Sequence, residues 1–143
     1  MFLGTHGHSL DMKGRVILPS KFRDQLAEGA VITKVLDGCL AIYTAEEFEK
    51  VAQEMQESAK RGATERNVVR SFAGGAAEVD PDKQGRITIP SSLREFAHLD
   101  RDVVVAGVFN RIEIWDATKW GEVNQEGEAS LQGAQPGLSD LGF

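Results

Sequence analysis

Short apolar runs stopped by glycine or proline fill much of the chain up to residue 123, and their order is written twice. VILP (16–19) and ITIP (87–90) bring β-branched residues up to a proline that cannot donate a ladder hydrogen bond, which predicts two short strands. Each proline also suits the first turn of a helix. Phe22 with Leu26, like Leu93 with Ala97, supplies the i, i+4 apolar stripe of a short amphipathic helix. VITKVL (31–36) and VVVAGV (103–108) are apolar on both faces and read as buried strands, followed by LAIY (40–43) and IEIW (112–115) as hairpin partners. Each copy therefore predicts strand, turn, strand, helix, strand, strand.

Between the copies, residues 45–61 are rich in helix formers, with Phe48, Val51, Ala52 and Met55 on one face and Gly62 as the stop. A second helix is expected from about Thr64, a capping residue, to Phe72, ahead of Gly74 and Gly75. Beyond Trp120 the glycines and acidic residues predict a largely disordered tail.

The repetition holds residue by residue. Asp11, Gly14, Arg15, Pro19, Ser20 and Arg23 return 71 positions later as Asp82, Gly85, Arg86, Pro90, Ser91 and Arg94, and Tyr43 and Phe48 are answered 72 positions later by Trp115 and Trp120. One inserted residue explains the change of offset, so the chain carries two copies of one supersecondary unit. Gly14 and Gly85 follow polar residues between extended segments, where a tight turn needs positive φ without a Cβ penalty. Asp11 and Asp82 suit a local hydrogen bond, and Pro19 and Pro90 the helix start; these six are the turn-forming residues. A turn does not need a guanidinium after its glycine. Phosphate oxygens and guanine edges do favour that planar fork, which makes Arg15 and Arg86 candidates for nucleic-acid contact.

Charge changes this picture in one respect. The 143 residues sum to -6, which taken alone argues against nucleic acid. Its distribution removes the objection. Residues 1–23 carry Lys13, Arg15, Lys21 and Arg23 against Asp11 alone, and residues 80–94 carry Lys83, Arg86 and Arg94 against Asp80 and Asp82. The second copy is the weaker, with Gln84 in the place of Lys13. The acids concentrate on the connector (Glu46, Glu47, Glu49, Glu54, Glu57) and the tail (Glu122, Glu126, Glu128, Asp140).

Asp11 to Arg23, D-x-K-G-R-x-x-x-P-x-x-F-R, and Asp82 to Arg94, D-x-x-G-R-x-x-x-P-x-x-L-R, together in one chain resemble the MraZ family, regulators of the bacterial division and cell wall gene cluster. A single copy of the motif would point only to the wider AbrB-like group. The resemblance covers residues 1–123 and implies an α+β fold in which two AbrB-like swapped-hairpin β-α-β repeats form a pseudo-two-fold, β-barrel-like core. The corresponding division is repeat 1 over 5–47, a helical connector over 48–75, repeat 2 over 76–120 and an acidic tail over 121–143. The resemblance further implies double-stranded DNA as partner, at short direct repeats in the promoter ahead of that cluster. It also implies a closed ring of identical subunits acting as a repressor. It places the DNA-contacting residues at Lys13 and Arg15, with Arg86 and Lys83 in the second copy, and makes Arg23 and Arg94 helix-end or phosphate contacts.

Competing chemistry is thin. His6 and His8 share a strand face, but two imidazoles without a third ligand make a weak metal site, so no metal or other cofactor is expected. Ser20 and Ser91 read as helix caps with no His and Asp context, which argues against an enzyme. Cys39 alone excludes an intramolecular disulfide and reads as a small buried residue at a strand start. The amino terminus has no basic leader and apolar stretch, and no run reaches the roughly 20 residues of a membrane span, so a cytoplasmic, nucleoid-associated protein without membrane contact is expected. Lys60, Arg61, Arg66 and Arg70 form a second basic cluster on the connector. The rival function is an antitoxin-like module that binds a protein partner.

Overall fold

The computed structural model describes residues 1–133, 137, 141 and 142. Its first half runs β1 (Phe2–Ser9), β2 (Arg15–Ile17), α1 (Ser20–Gln25), β3 (Ala30–Lys34) and β4 (Leu40–Thr44). Two connector helices, α2 (Ala45–Ser58) and α3 (Ala63–Gly74), lead to the second half: β5 (Ala77–Val79), β6 (Arg86–Thr88), α4 (Ser91–Phe96), β7 (Asp102–Phe109) and β8 (Ile112–Asp116). A last helix, α5, spans Ala117–Gln132.

The halves exchange strands. β1 pairs with β7 along eight residues, β5 pairs with β3, and β2 pairs with β6, so each half completes its sheet with the other half's opening strand. The β3–β4 and β7–β8 hairpins meet where β4 pairs with β8. The result is an α+β fold with a six-stranded antiparallel sheet, ordered β1-β7-β8-β4-β3-β5, and a separate two-stranded ribbon, β2-β6. The expected barrel-like core is corrected in one respect: the sheet is not closed. Its ends, β1 and β5, do not pair, because the ribbon lies over one face as a second layer instead of bridging the edges.

Alternation assigns the faces. Ile32, Leu40, Ile42, Val103, Val105, Ile112 and Ile114 point inward and pack with Val16, Leu18, Ile87 and Ile89 from the ribbon and its exits, and with Phe22 and Leu93 from α1 and α4. Burying one such side chain stabilises by about 1.5–3 kcal/mol, and this single cluster spans both halves, so neither half folds on its own core. The outward residues Ala41 and Tyr43 lie under Phe48, Val51 and Met55 of α2 and Phe72 of α3. Thr33 Oγ donates to the Phe72 carbonyl at 2.7 Å, tying the end of α3 to the sheet. Outward on β8, Glu113 is buried and accepts from Arg111 (2.5 Å) and from the Trp115 indole (3.0 Å), while Arg111 donates to Tyr43 Oη at 2.9 Å. That network joins the halves across the sheet's centre, and every member has a partner.

Three expectations change at the helix ends. Thr64 does not cap α3, whose cap position is Gly62. Ser20 and Ser91 are the first helical residues behind Pro19 and Pro90 and make no capping hydrogen bond, because proline itself holds the cap position in extended geometry. Residues 121–132 are helical where disorder is expected, since Asp116 accepts from the Lys119 N–H at 3.1 Å and Trp120 packs on Trp115 with ring centroids 6.0 Å apart. The same design starts α2, with Thr44 accepting from the Glu47 N–H and Phe48 packed on Tyr43. The tail's positions 134–136, 138–140 and 143 lie outside the described residues. Among the described residues no helix is long and apolar enough to cross a membrane.

Candidate nucleic-acid interface

Two loops of identical construction flank the ribbon. In the first, Asp11 Oδ1 accepts from the backbone N–H groups of Lys13 and Arg15, both at 2.9 Å, and Asp11 Oδ2 pairs with Arg15 Nε at 2.7 Å. In the second, Asp82 Oδ1 accepts from Gln84 and Arg86, both at 2.9 Å, and Oδ2 pairs with Arg86 Nε at 2.9 Å. The glycines turn the chain with φ of +74° at Gly14 and +80° at Gly85, a region that costs other residues a Cβ clash. Each aspartate thus folds its loop and holds its arginine by the inner Nε edge. The outer edges, Nη1 and Nη2, make no hydrogen bond among the described residues and remain available as a two-donor fork.

The ribbon register puts both forks on one surface. Arg15 stands opposite Thr88 and Arg86 opposite Ile17, so the two arginines are diagonal neighbours, about 7–8 Å apart in backbone terms. Val16 and Ile87 fill the core from the other face. Lys13 and Lys83 are exposed in the two loops. Arg15, Arg86, Lys13 and Lys83 therefore come together around one short ribbon.

Arg23 and Arg94 are placed elsewhere. Arg23, on α1 of the first half, lays its guanidinium against Gly85 of the second loop and donates through Nη1 to the Leu18 carbonyl. Arg94, on α4, does the same over Gly14 and donates to the Ile89 carbonyl. Both are half-buried, and of the helix-end or phosphate contact expected of them each makes a contact within the chain, at the carbonyl just ahead of its own half's helix-start proline. The crossing was hidden in the sequence: the glycine-to-arginine spacing is nine residues in each copy, and spacing alone does not say which copy's glycine is covered.

The backbone N–H of Arg15 is the main influence holding the Asp11 carboxyl below its usual range, aided by the Arg15 guanidinium and the Lys13 N–H and opposed by partial desolvation. Asp82 is lowered in the same way by Arg86 and Gln84. A carboxyl lowered on folding adds stability above its unfolded pKa and loses it as pH falls through the folded value. Both loops are therefore fully braced at neutral pH. In an NMR titration of the side-chain carboxyl carbons, Asp11 and Asp82 are expected to titrate below the ordinary aspartate value of about 3.9. Midpoints at or above that value would mean that the loops are not braced in solution.

The other candidates have surroundings of their own. His6 lies edge-on to Phe22, with ring centroids 5.4 Å apart, and burial together with His6 lowers the pKa of His8. No group of three or more His, Cys, Asp or Glu side chains suited to a metal occurs among the described residues. Cys39 is buried and its thiol is pushed up to about 12, chiefly by desolvation. Lys60, in the turn between the connector helices, pairs with Glu57 of α2, and Arg70 of α3 with Asn67; the two helices cover the opposite face of the sheet from the ribbon.

Fold and site together define a duplicated swapped-hairpin protein with two matched basic loops on one face. The family described as "MraZ protein, putative antitoxin-like" matches residues 1–71 and again 72–136. The chain is 47% identical to the Transcriptional regulator MraZ of Kocuria rhizophila, covering 96% of this chain and 99% of that protein. It is 46% identical to that of Micrococcus luteus, with 92% of each covered, and 42% identical to that of Syntrophomonas wolfei over the whole of both. The chain belongs to the MraZ family.

Proposed function

We propose that the chain is a transcriptional regulator that binds double-stranded DNA through the β2–β6 ribbon. It acts as a repressor of the division and cell wall gene cluster by occupying direct repeats in its promoter as a closed ring, the role that the family resemblance implies. The observation that carries the reading is the pair of arginine forks, each braced from behind by its own aspartate and each presenting two donors on the same exposed face. That edge matches guanine O6 and N7 or two phosphate oxygens. The net charge fits as well, since α2 and α5, which carry eight acidic residues against two lysines, pack on the other side of the sheet from the ribbon.

One protomer offers few cations, so its binding is weak and steeply dependent on salt. Identical protomers on tandem repeats turn later contacts into intramolecular ones and raise avidity, provided that the ring matches the repeat spacing. Direct repeats suit a head-to-tail assembly. The rival reading is a protein-neutralising module, which the antitoxin-like wording of the family description favours.

Fluorescence anisotropy with direct-repeat DNA from the promoter of the protein's own operon, across a salt series and with mass measured in parallel, decides between them. Tight binding by a multi-subunit particle, lost when the repeats are scrambled, is the expected result. A small particle that ignores the repeats and copurifies with an unrelated protein would transfer the function to the rival.

A further inference from the structure

We infer that Arg23 and Arg94 are positioning residues that set the shape of the recognition loop in the opposite half, so that each loop engages DNA only as well as the other half holds it. The inference rests on the DNA-binding reading for its consequence and on the loop geometry for its content. Around Gly14 three contacts close a ring between the halves. The Ile89 N–H donates to the Gly14 carbonyl at 2.9 Å, Arg94 Nη1 donates to the Ile89 carbonyl, and the Arg94 guanidinium covers the side of Gly14 where a Cβ would stand. Around Gly85 the same ring is made by the Leu18 N–H at 3.0 Å, the Leu18 carbonyl and Arg23.

Neither glycine could carry a side chain without overlapping Nη1 and Cζ of the covering arginine. The positive φ explains glycine once, and the guanidinium explains it a second time. The next residue after each glycine is the arginine that faces solvent, so a loop that rocks about its glycine swings that fork directly. A planar group is needed to lie flat on a glycine while donating sideways to a carbonyl; an ammonium has no such face. Lysine at 23 or 94 would keep the charge and lose the cover.

Crossed support makes an unusual prediction about which loop fails. Arg23→Met should disturb the second loop, 62 positions away, and spare the first, which begins 12 positions before Arg23. Two readouts test it on the full chain. In amide NMR spectra without DNA, Gly85 and Arg86 should shift in Arg23→Met while Gly14 and Arg15 hold, and Arg94→Met should reverse the pattern. In DNA binding, Arg23→Met should lower affinity on the order of tenfold, the low end of what loss of an orienting neighbour costs. That loss should vanish in an Arg86→Ala background and add in full to Arg15→Ala, as coupled and independent sites do. Arg23→Lys, the milder variant should Arg23→Met fold poorly, should behave like Arg23→Met. Equal shifts in both loops, or additivity with both arginines, would overturn the inference in favour of a general stabilising role. A lysine variant that binds like wild type would overturn it in favour of a direct phosphate contact. If the wild type itself does not bind DNA, the functional reading fails, while the amide shifts still decide the crossed support.

Discussion

Arg15→Ala is expected to lower affinity for direct-repeat promoter DNA by about 100-fold at 0.15 M salt, with the mass of the particle unchanged. One good bidentate arginine contact is worth roughly 1–3 kcal/mol, and every 1.4 kcal/mol is tenfold, so one protomer already loses between fivefold and 150-fold. A multi-subunit particle repeats the loss at each engaged site, which places the total toward the upper end. Folding should be little affected. The Arg15 side chain is more than a quarter exposed, its ion pair with Asp11 is of the surface kind, and Asp11 keeps its two backbone donors without it. The salt series separates two modes of contact. If Arg15 spans phosphates, the variant should bind with a salt slope smaller by about 1 per contact; if it reads guanine, the slope should hold and discrimination at one base position should relax. Arg86→Ala should act in the same direction with a smaller loss, because its loop sits among Asp80 and Gln84 where the first has Lys13 and the nearby Lys21. Undiminished binding by Arg15→Ala would move recognition off the ribbon, to Lys60, Arg61, Arg66 and Arg70 on the opposite side of the sheet.

Much of this site was legible because its logic is local. Asp-x-x-Gly-Arg spans five residues, and the carboxylate, the turn and the guanidinium meet within that span, so the pattern alone predicted a turn with a local aspartate hydrogen bond and an arginine beyond its glycine. The strands were legible for a similar reason: LAIY and IEIW are short apolar runs buried on both faces, and their alternation sorts Leu40, Ile42, Ile112 and Ile114 onto one face. Alternation does not say which strand lies alongside. The exchange of β1 and β5 between halves depends on contacts far apart along the chain, such as Phe2 with Phe109 and Ala30 with Val79, and nothing within either segment encodes them. The cover that Arg23 gives Gly85 was illegible on the same ground, since that glycine is the distant one. The helix α5 was misread for a different reason. Its glycines and acids resemble a disordered tail, but one aspartate cap and one tryptophan pair anchor its first turn, and both had counterparts at Thr44 and in Tyr43 with Phe48.

Gly107→Ala is expected to be the most destabilising single methyl that can be added to the sheet, costing about 3 kcal/mol, the upper range for overpacking. Gly107 stands opposite Gly4 in the β1–β7 pairing, and Gly4 has a φ of +93°, so the two backbones approach where neither has a side chain. A Cβ on Gly107 would overlap the Leu3 nitrogen and the Phe2 carbonyl carbon. These are main-chain atoms, and no rotamer change can move them aside; β1 has to shift. Phe2 then leaves the core, where it meets Phe22 edge-on with centroids 5.5 Å apart, and α1 loses the residue that packs it down. Arg23 follows Phe22 directly, so a defect at the sheet edge reaches the second recognition loop through one helix. Gly7→Ala on the same strand is the control, since its Cβ would meet nothing within 4 Å and should change stability by no more than about 0.5 kcal/mol. Urea midpoints of the two variants, with hydrogen exchange of the β1 amides, measure the difference. A Gly107→Ala protein as stable as Gly7→Ala would mean that β1 does not approach β7 this closely at its first residues. In that case Phe22 and Arg23 would have to be held by the ribbon and α4 alone.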